Sequence, residues 1–264
     1  DMSGVIINVA AEQAQDVLDG KYGDITGKTI NFTENITDVL VLARPAKYQG
    51  SGTKYECKDG NSHSGNSKTF TDASSFLEHF GESEWHTTPN YYRTLSDVTF
   101  TADVGVTVAG FTFNAGHIYG ECYDYVRDIE YTSGSAYYKY SSLEDICFKG
   151  LTITGQFDAK LYLEGSTVKN VTFDGCTFTG TTADSNNAAI KFLADSQYFT
   201  DVIVKDCSID DYYQGVYISG VDGVEIGNNT ISNTVHNAIA LQSKDDGNPA
   251  KGTIIVEENY ISAV

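Results

Sequence analysis

Six eight-residue segments of this chain share one pattern, and that repeat limits the folds open to it more than any other feature. They are VTVAGFTF (106–113), ICFKGLTI (146–153), VTFDGCTF (171–178), VIVKDCSI (202–209), VEIGNNTI (224–231) and IIVEENYI (254–261), each apolar at positions one, three and eight. Position six reads Phe111, Leu151, Cys176, Cys207, Asn229 and Asn259. Successive starts lie between 22 and 40 residues apart. A rigid unit with variable filler is the mark of a solenoid that accepts loops on one side.

A second apolar alternation follows most units: AKLYLEG (159–165), AAIKFLA (188–194), QGVYISG (214–220) and NAIALQS (237–243). Period two, β-branched and aromatic enrichment, and flanking Gly, Asn and Asp predict short strands. Each repeat is therefore expected to run strand, tight corner, short strand, turn, strand. One such coil cannot bury its apolar face alone. Stacked coils, with parallel strands about 4.8 Å apart, can. Position six then lies on the inward side of the corner. Asn229 and Asn259 are expected to form an amide ladder there. Cys176 and Cys207 fill the same column as small buried thiols. A disulfide between them is the alternative, since the spacing of adjacent coils falls inside the usual Cα window.

These units resemble the right-handed parallel β-helix proteins of the pectate-lyase-like superfamily, clearly over 96–264 and more loosely before that. The resemblance implies an all-β, right-handed parallel β-helix with a short N-terminal capping helix and loop insertions. A leucine-rich repeat competes, because its L-x-L-x-x-N/C-x-L core also fits the unit. Against it stand the scarcity of leucine, the drifting period and the strand-like second half of each repeat.

The chain is read as a single domain over 1–264. Residues 1–45 form the cap and first coils, with a helix over 10–23 built on Ala10, Ala14, Val17 and Leu18 and stopped by Gly20 and Gly23. Residues 46–95 are an insertion, with a helix over 72–83 that Asp72 caps. Regular coils fill 96–264, interrupted by a tyrosine-rich insertion over 120–142, and the pattern is expected to continue in a longer natural chain.

Charge narrows the partners. Seventeen Lys and Arg face 36 Asp and Glu among 264 residues, a formal net charge of −19. Such a field repels phosphate backbones, anionic lipid surfaces and polyanionic sugars, so no nucleic-acid partner is expected. No apolar run reaches the roughly 18 residues of a membrane span, so no membrane insertion is expected either. Five cysteines without a CxxC pair carry no zinc signature, and no metal site is assigned. Calcium at Asp245 and Asp246 is a weak alternative, because SKDDGNP lacks EF-hand spacing.

In the strands after the corner, outward residues are expected to form columns. One reads Tyr162, Lys191, Tyr217 and Ala240, with Tyr119 extending it, and the next adds Glu164, Ser219 and Gln242. Aromatic rings edged by Lys, Glu and Gln at coil spacing suit sugar faces and hydroxyls, although outward tyrosines also simply fit a β surface. His236 lies in the turn leading to this face. A histidine just before such a strand is similar to the Gly-His-Gly of polygalacturonases, but Val235 and Asn237 replace the glycines. The acidic pairs Asp210–Asp211 and Asp245–Asp246 are candidates for acid–base chemistry, and no lyase-like arginine lies on a coil face. Four Asn-x-Thr sequons occur in Thr-rich strands, where chance produces them.

The leading expectation is a secreted or cell-surface β-helix module that recognises a polysaccharide or glycan, or contributes to adhesion, without catalysis. The resemblance extends to β-helix regions of bacterial surface proteins. The alternative is a polysaccharide lyase or glycoside hydrolase acting in the tyrosine-lined groove. A structural stalk is the third reading. Further coils of a longer chain are an expected partner for the last repeat.

Overall fold

The computed structural model describes residues 4–43, 93–115, 117–119, 129–132, 136–139, 141–161, 166–181, 187–194, 197–242 and 250–262. Among these, three parallel sheets are built coil upon coil. Sheet A takes Val5–Val9, Lys28–Phe32, Arg93–Ala102, Ser141–Lys149, Val168–Asp174, Phe199–Lys205, Val221–Gly227 and Lys251–Glu257, side by side in chain order. Sheets B and C, each of six described strands, follow the same order. Chain order equals spatial order because each coil lies directly on the one before it.

The register shows what the repeat does. Ile146, Val171, Val202, Val224 and Ile254 stand opposite one another in sheet A, as do Phe148, Phe173, Val204, Ile226 and Val256. Position eight supplies sheet B, where Ile153, Phe178, Ile209, Ile231 and Ile261 align. Phe32, Phe100, Phe148 and Phe173 stack down the axis with centroids 6.3, 5.2 and 4.9 Å apart. Sheet C turns Phe157 and Phe192 edge-on or tilted against that pile, for instance Phe157 on Phe173 at 5.0 Å and 77°. Each fully buried ring contributes about 1.5–3 kcal/mol before entropy is charged against it.

One unit is out of place. In the coil holding Val106–Phe113, sheet A is supplied by Val98 and Phe100, opposite Ile146 and Phe148, and Val108 pairs with Ile153. Phe111 and Phe113 belong to sheet C, opposite Phe157 and Ala159. The corner of this coil is longer than the others. Two similar alternations, 98–100 and 106–113, lie side by side in this coil, and the earlier one builds sheet A.

The corners have one conformation. Position five is left-handed at Gly150, Gly175, Asp206, Asn228 and Glu258, with φ from 54° to 64°. This reverses the chain and drives position six inward: Leu151, Cys176, Cys207 and Asn229 are buried. The expected ladder is present. Asn229 Nδ2 donates to Asn259 Oδ1 at 2.9 Å and to the Val204 carbonyl at 2.9 Å, while its Oδ1 accepts from the Cys207 N–H at 2.9 Å. Asn259 repeats the motif on the Ile226 carbonyl at 2.8 Å. Cys176 and Cys207 are free thiols. A second left-handed column, Asp97, Asp145, Asn170, Asp201, Gly223 and Gly252, bends sheet A. The sequence marks most of it as an Asp, Asn or Gly just before position one.

The N-terminal cap is shorter than the periodicity predicts. A 3-10 turn, Ala11–Gln13, leads into helix α1, Ala14–Leu18, which buries Ala14, Val17 and Leu18. Gln15 closes the edge of sheet C as a strand would: its Nε2 donates to the Val41 carbonyl at 3.0 Å and its Oε1 accepts the Val41 N–H at 2.8 Å. The helix expected over 72–83 lies outside the described residues. The tyrosine-rich insertion contributes Ile129–Thr132 and Ala136–Lys139 to a small antiparallel sheet, joined by His117–Tyr119 just before it.

Candidate ligand face

Alternation in sheet C decides which side chains reach solvent. In Phe157–Leu161 the inward Phe157, Ala159 and Leu161 are buried, as are Ile190, Phe192 and Ala194 in the next coil and Val216 and Ile218 in the one after. The residues between them face out and stack in register. Lys191, Tyr217 and Ala240 form one column, as expected. Ser219 and Gln242 stand in the next, opposite Leu193. Tyr217 Oη donates to Gln242 Oε1 at 2.9 Å, tying the two columns across one coil step.

Three assignments change. The residue opposite Lys191 is Asp158, not Tyr162, and the residue opposite Leu193 is Lys160, not Glu164. The strand starts two residues earlier than AKLYLEG suggests, so Tyr162 and Glu164 leave both columns; their own positions lie outside the described residues. Tyr119 is not in sheet C either. Its strand pairs antiparallel with Ala136–Lys139, so it cannot extend the column. Antiparallel pairing in the insertion competes with the coil pattern, and the sequence has no marker for which of the two wins.

The corrected column carries charge. Lys160 Nζ approaches Asp158 Oδ2 at 3.8 Å, while Asp158 Oδ1 is buried without a hydrogen-bond partner among the described residues. A buried carboxylate oxygen with no donor carries a desolvation cost, which leaves Oδ2 as the oxygen of Asp158 that faces Lys160. Lys191 stands between Asp158 and Tyr217 along this wall.

The turns leading into sheet C add a third column. Asn187, Tyr213 and His236 each sit four residues before Lys191, Tyr217 and Ala240 in turn, and the register brings them together. The His236 ring stacks on Tyr213 with centroids 5.1 Å apart and planes 11° from parallel. The His236 N–H donates to the Tyr213 carbonyl at 2.9 Å, and the Tyr213 N–H donates to Asn187 Oδ1 at 2.9 Å. Nδ1 of His236 meets the Asn237 amide. Sequence reading found His236 but missed Tyr213, Asn187 and Asp158. The common offset of four was the available signal.

Of the acidic pairs, Asp210 is engaged structurally. It accepts from Ser232 Oγ at 2.6 Å and Asn233 Nδ2 at 2.7 Å, bracing one coil against the next. Asp245 and Asp246 lie outside the described residues, among which no group of three metal-binding side chains occurs. A groove of about 450 Å³ opens on the outer face of sheet A, over the bend at Gly223 and Gly252, lined by Asp201, Asp222 and Glu225. Its acidic wall disfavours anions. Sheet C offers a ring-bearing surface through Tyr213, Tyr217 and His236.

The family model for the right-handed beta helix region matches residues 101–264, more than half of the chain. This chain belongs to that family. The three parallel sheets, the stacked inward columns and the asparagine ladder of the β-helix agree with the match. The leucine-rich-repeat alternative falls, since the second half of each coil is a strand of sheet C. No curated protein and no solved structure matches.

Proposed function

We propose that this β-helix is a non-catalytic module, secreted or displayed at a cell surface, that binds carbohydrate along the outer face of sheet C. The observation that carries the reading is the Tyr213–His236 ring stack leading into the Tyr217 column. Four residues of strand separate the two ring positions, about 13 Å, a span that accommodates more than one sugar ring. Around them, Asp158 accepts, Lys191 donates, and Gln242 does both. Rings for sugar faces beside fixed hydrogen-bonding groups for hydroxyls are the two elements such recognition needs. The net charge of −19 favours neutral over polyanionic polysaccharides.

The test is a glycan array probed with the wild type and with Tyr213→Ala and Tyr217→Ala. Loss of one stacking surface is expected to weaken binding roughly tenfold. No binding by the wild type, or equal binding by both variants, would remove the proposal. Release of reducing ends or unsaturated products from a polysaccharide, with or without calcium, would favour the enzymatic alternative, with Asp158 as the first residue to substitute.

A further inference from the structure

We propose that Cys176 and Cys207 form a redox staple: oxidation joins them in a disulfide that locks two successive coils together. Both occupy position six, in neighbouring coils that are bonded through the corner, where the Ser208 N–H donates to the Cys176 carbonyl at 2.9 Å. Parallel strands stand about 4.8 Å apart, within the Cα separations that disulfides span. The direction of the Cys207 side chain adds to this, while Cys176 Sγ, 3.3 Å from the Phe148 carbonyl one coil towards the N-terminus, must rotate back towards Cys207 for the bond to close. Cys207 Sγ lies 3.7 Å from the Phe173 carbonyl, and so reaches up into the coil that holds Cys176.

The staple closes only by a particular route. Cys176 is 1% exposed and Cys207 2% exposed, so no oxidant reaches them in the packed coil. The hydrogen bond to Cys176, with burial behind it, holds Cys207 protonated well above the ordinary thiol range. Oxidation therefore belongs to folding, or to opening of the corner, in the presence of a small disulfide such as oxidised glutathione. One thiolate attacks the glutathione disulfide, releases one glutathione thiolate and forms a mixed disulfide. The second cysteine's thiolate displaces the second glutathione. The protein pair is oxidised by two electrons, two glutathione thiols are produced, and the two protein protons go to solvent or to those thiolates. Cys147 is a useful internal control, being half-buried on the outer face of sheet A with its pKa raised by burial and by Asp174.

The full chain is refolded in oxidised and reduced glutathione, then mapped by non-reducing peptide mass spectrometry and melted with and without reductant. The expected result is a 176–207 cross-linked peptide and a Tm several degrees higher in the oxidised protein, a difference abolished in Cys207→Ser. Should Cys207→Ser fold poorly, Cys176→Ala with Cys207→Ala, which keeps the column apolar, serves as the second variant. Alkylation of both cysteines after oxidative folding, a cross-link only to another cysteine, or a cross-linked protein whose Tm ignores reductant would each overturn the proposal.

Discussion

Tyr212 shows how one side chain can tie three coils. It is 1% exposed, and its hydroxyl donates to the Gly155 carbonyl two coils away. Its ring passes over Gly180 in the coil between. A Cβ at Gly180 would lie 2.8 Å from the ring and 2.5 Å from the Asp211 carbonyl, so only glycine fits. Burial, followed by the charge of Asp211, raises the Tyr212 pKa above its ordinary 10.0. The unfolded chain therefore loses this proton first as pH rises. The contribution is fully present below pH 10.0 and is lost as pH climbs towards the folded value. Tyr212→Phe is expected to cost about 1–2 kcal/mol at neutral pH through the stranded Gly155 carbonyl. It should also flatten the fall in stability above pH 10.0, as urea melts across alkaline pH would show. A parallel pH dependence in the two proteins would refute the role. None of this was legible in DDYYQ, because the neighbouring coil selects the tyrosine that turns in. The thiol and asparagine column was legible, since every member lies at the same place in its own unit.

At the scale of elements, the corner and the cap carry the design. Left-handed φ at position five is met by Gly at 150 and 175 and by Asp, Asn or Glu later. Gly175→Val forces a β-branched residue to φ 64° and is expected to cost about 1–2 kcal/mol, measurable as a lower urea midpoint. An unchanged midpoint would mean the corner is not held as described. The cap makes a different demand. Gln15 substitutes for a missing strand at the edge of sheet C through two hydrogen bonds to Val41. Gln15→Ala should raise hydrogen exchange at the Val41 amide and cost about 1–2 kcal/mol. Unaltered exchange at Val41 would leave Gln15 as surface decoration. The sequence announced a helix and its stop at Gly20 and Gly23, which have φ 76° and 105°. It did not announce that one glutamine would imitate a strand, since that pairing joins residues 26 apart.

The whole molecule is a stack in which each coil is supported by its neighbours, and its charge acts on all of them at once. With a net charge of −19, self-repulsion opposes the compact state at low ionic strength. Raising salt from about 10 to 150 mM shortens the Debye length from roughly 30 to 8 Å and should raise the Tm by a few degrees. A Tm indifferent to salt would show that carboxylate–amide and carboxylate–lysine contacts such as Asn170–Asp145 and Lys205–Asp174 already offset the repulsion. What the sequence alone determined is the coil: apolar positions one, three and eight and an inward position six are local facts, written into the five units from Ile146 onward. What only the tertiary structure decided is which residues meet across coils. Insertions and long corners shift one coil against the next, so Asp158 rather than Tyr162 faces Lys191, and Tyr213 comes to stack on His236. A period of two repeats itself every other residue, and pattern alone cannot distinguish a strand from the same strand slid by two.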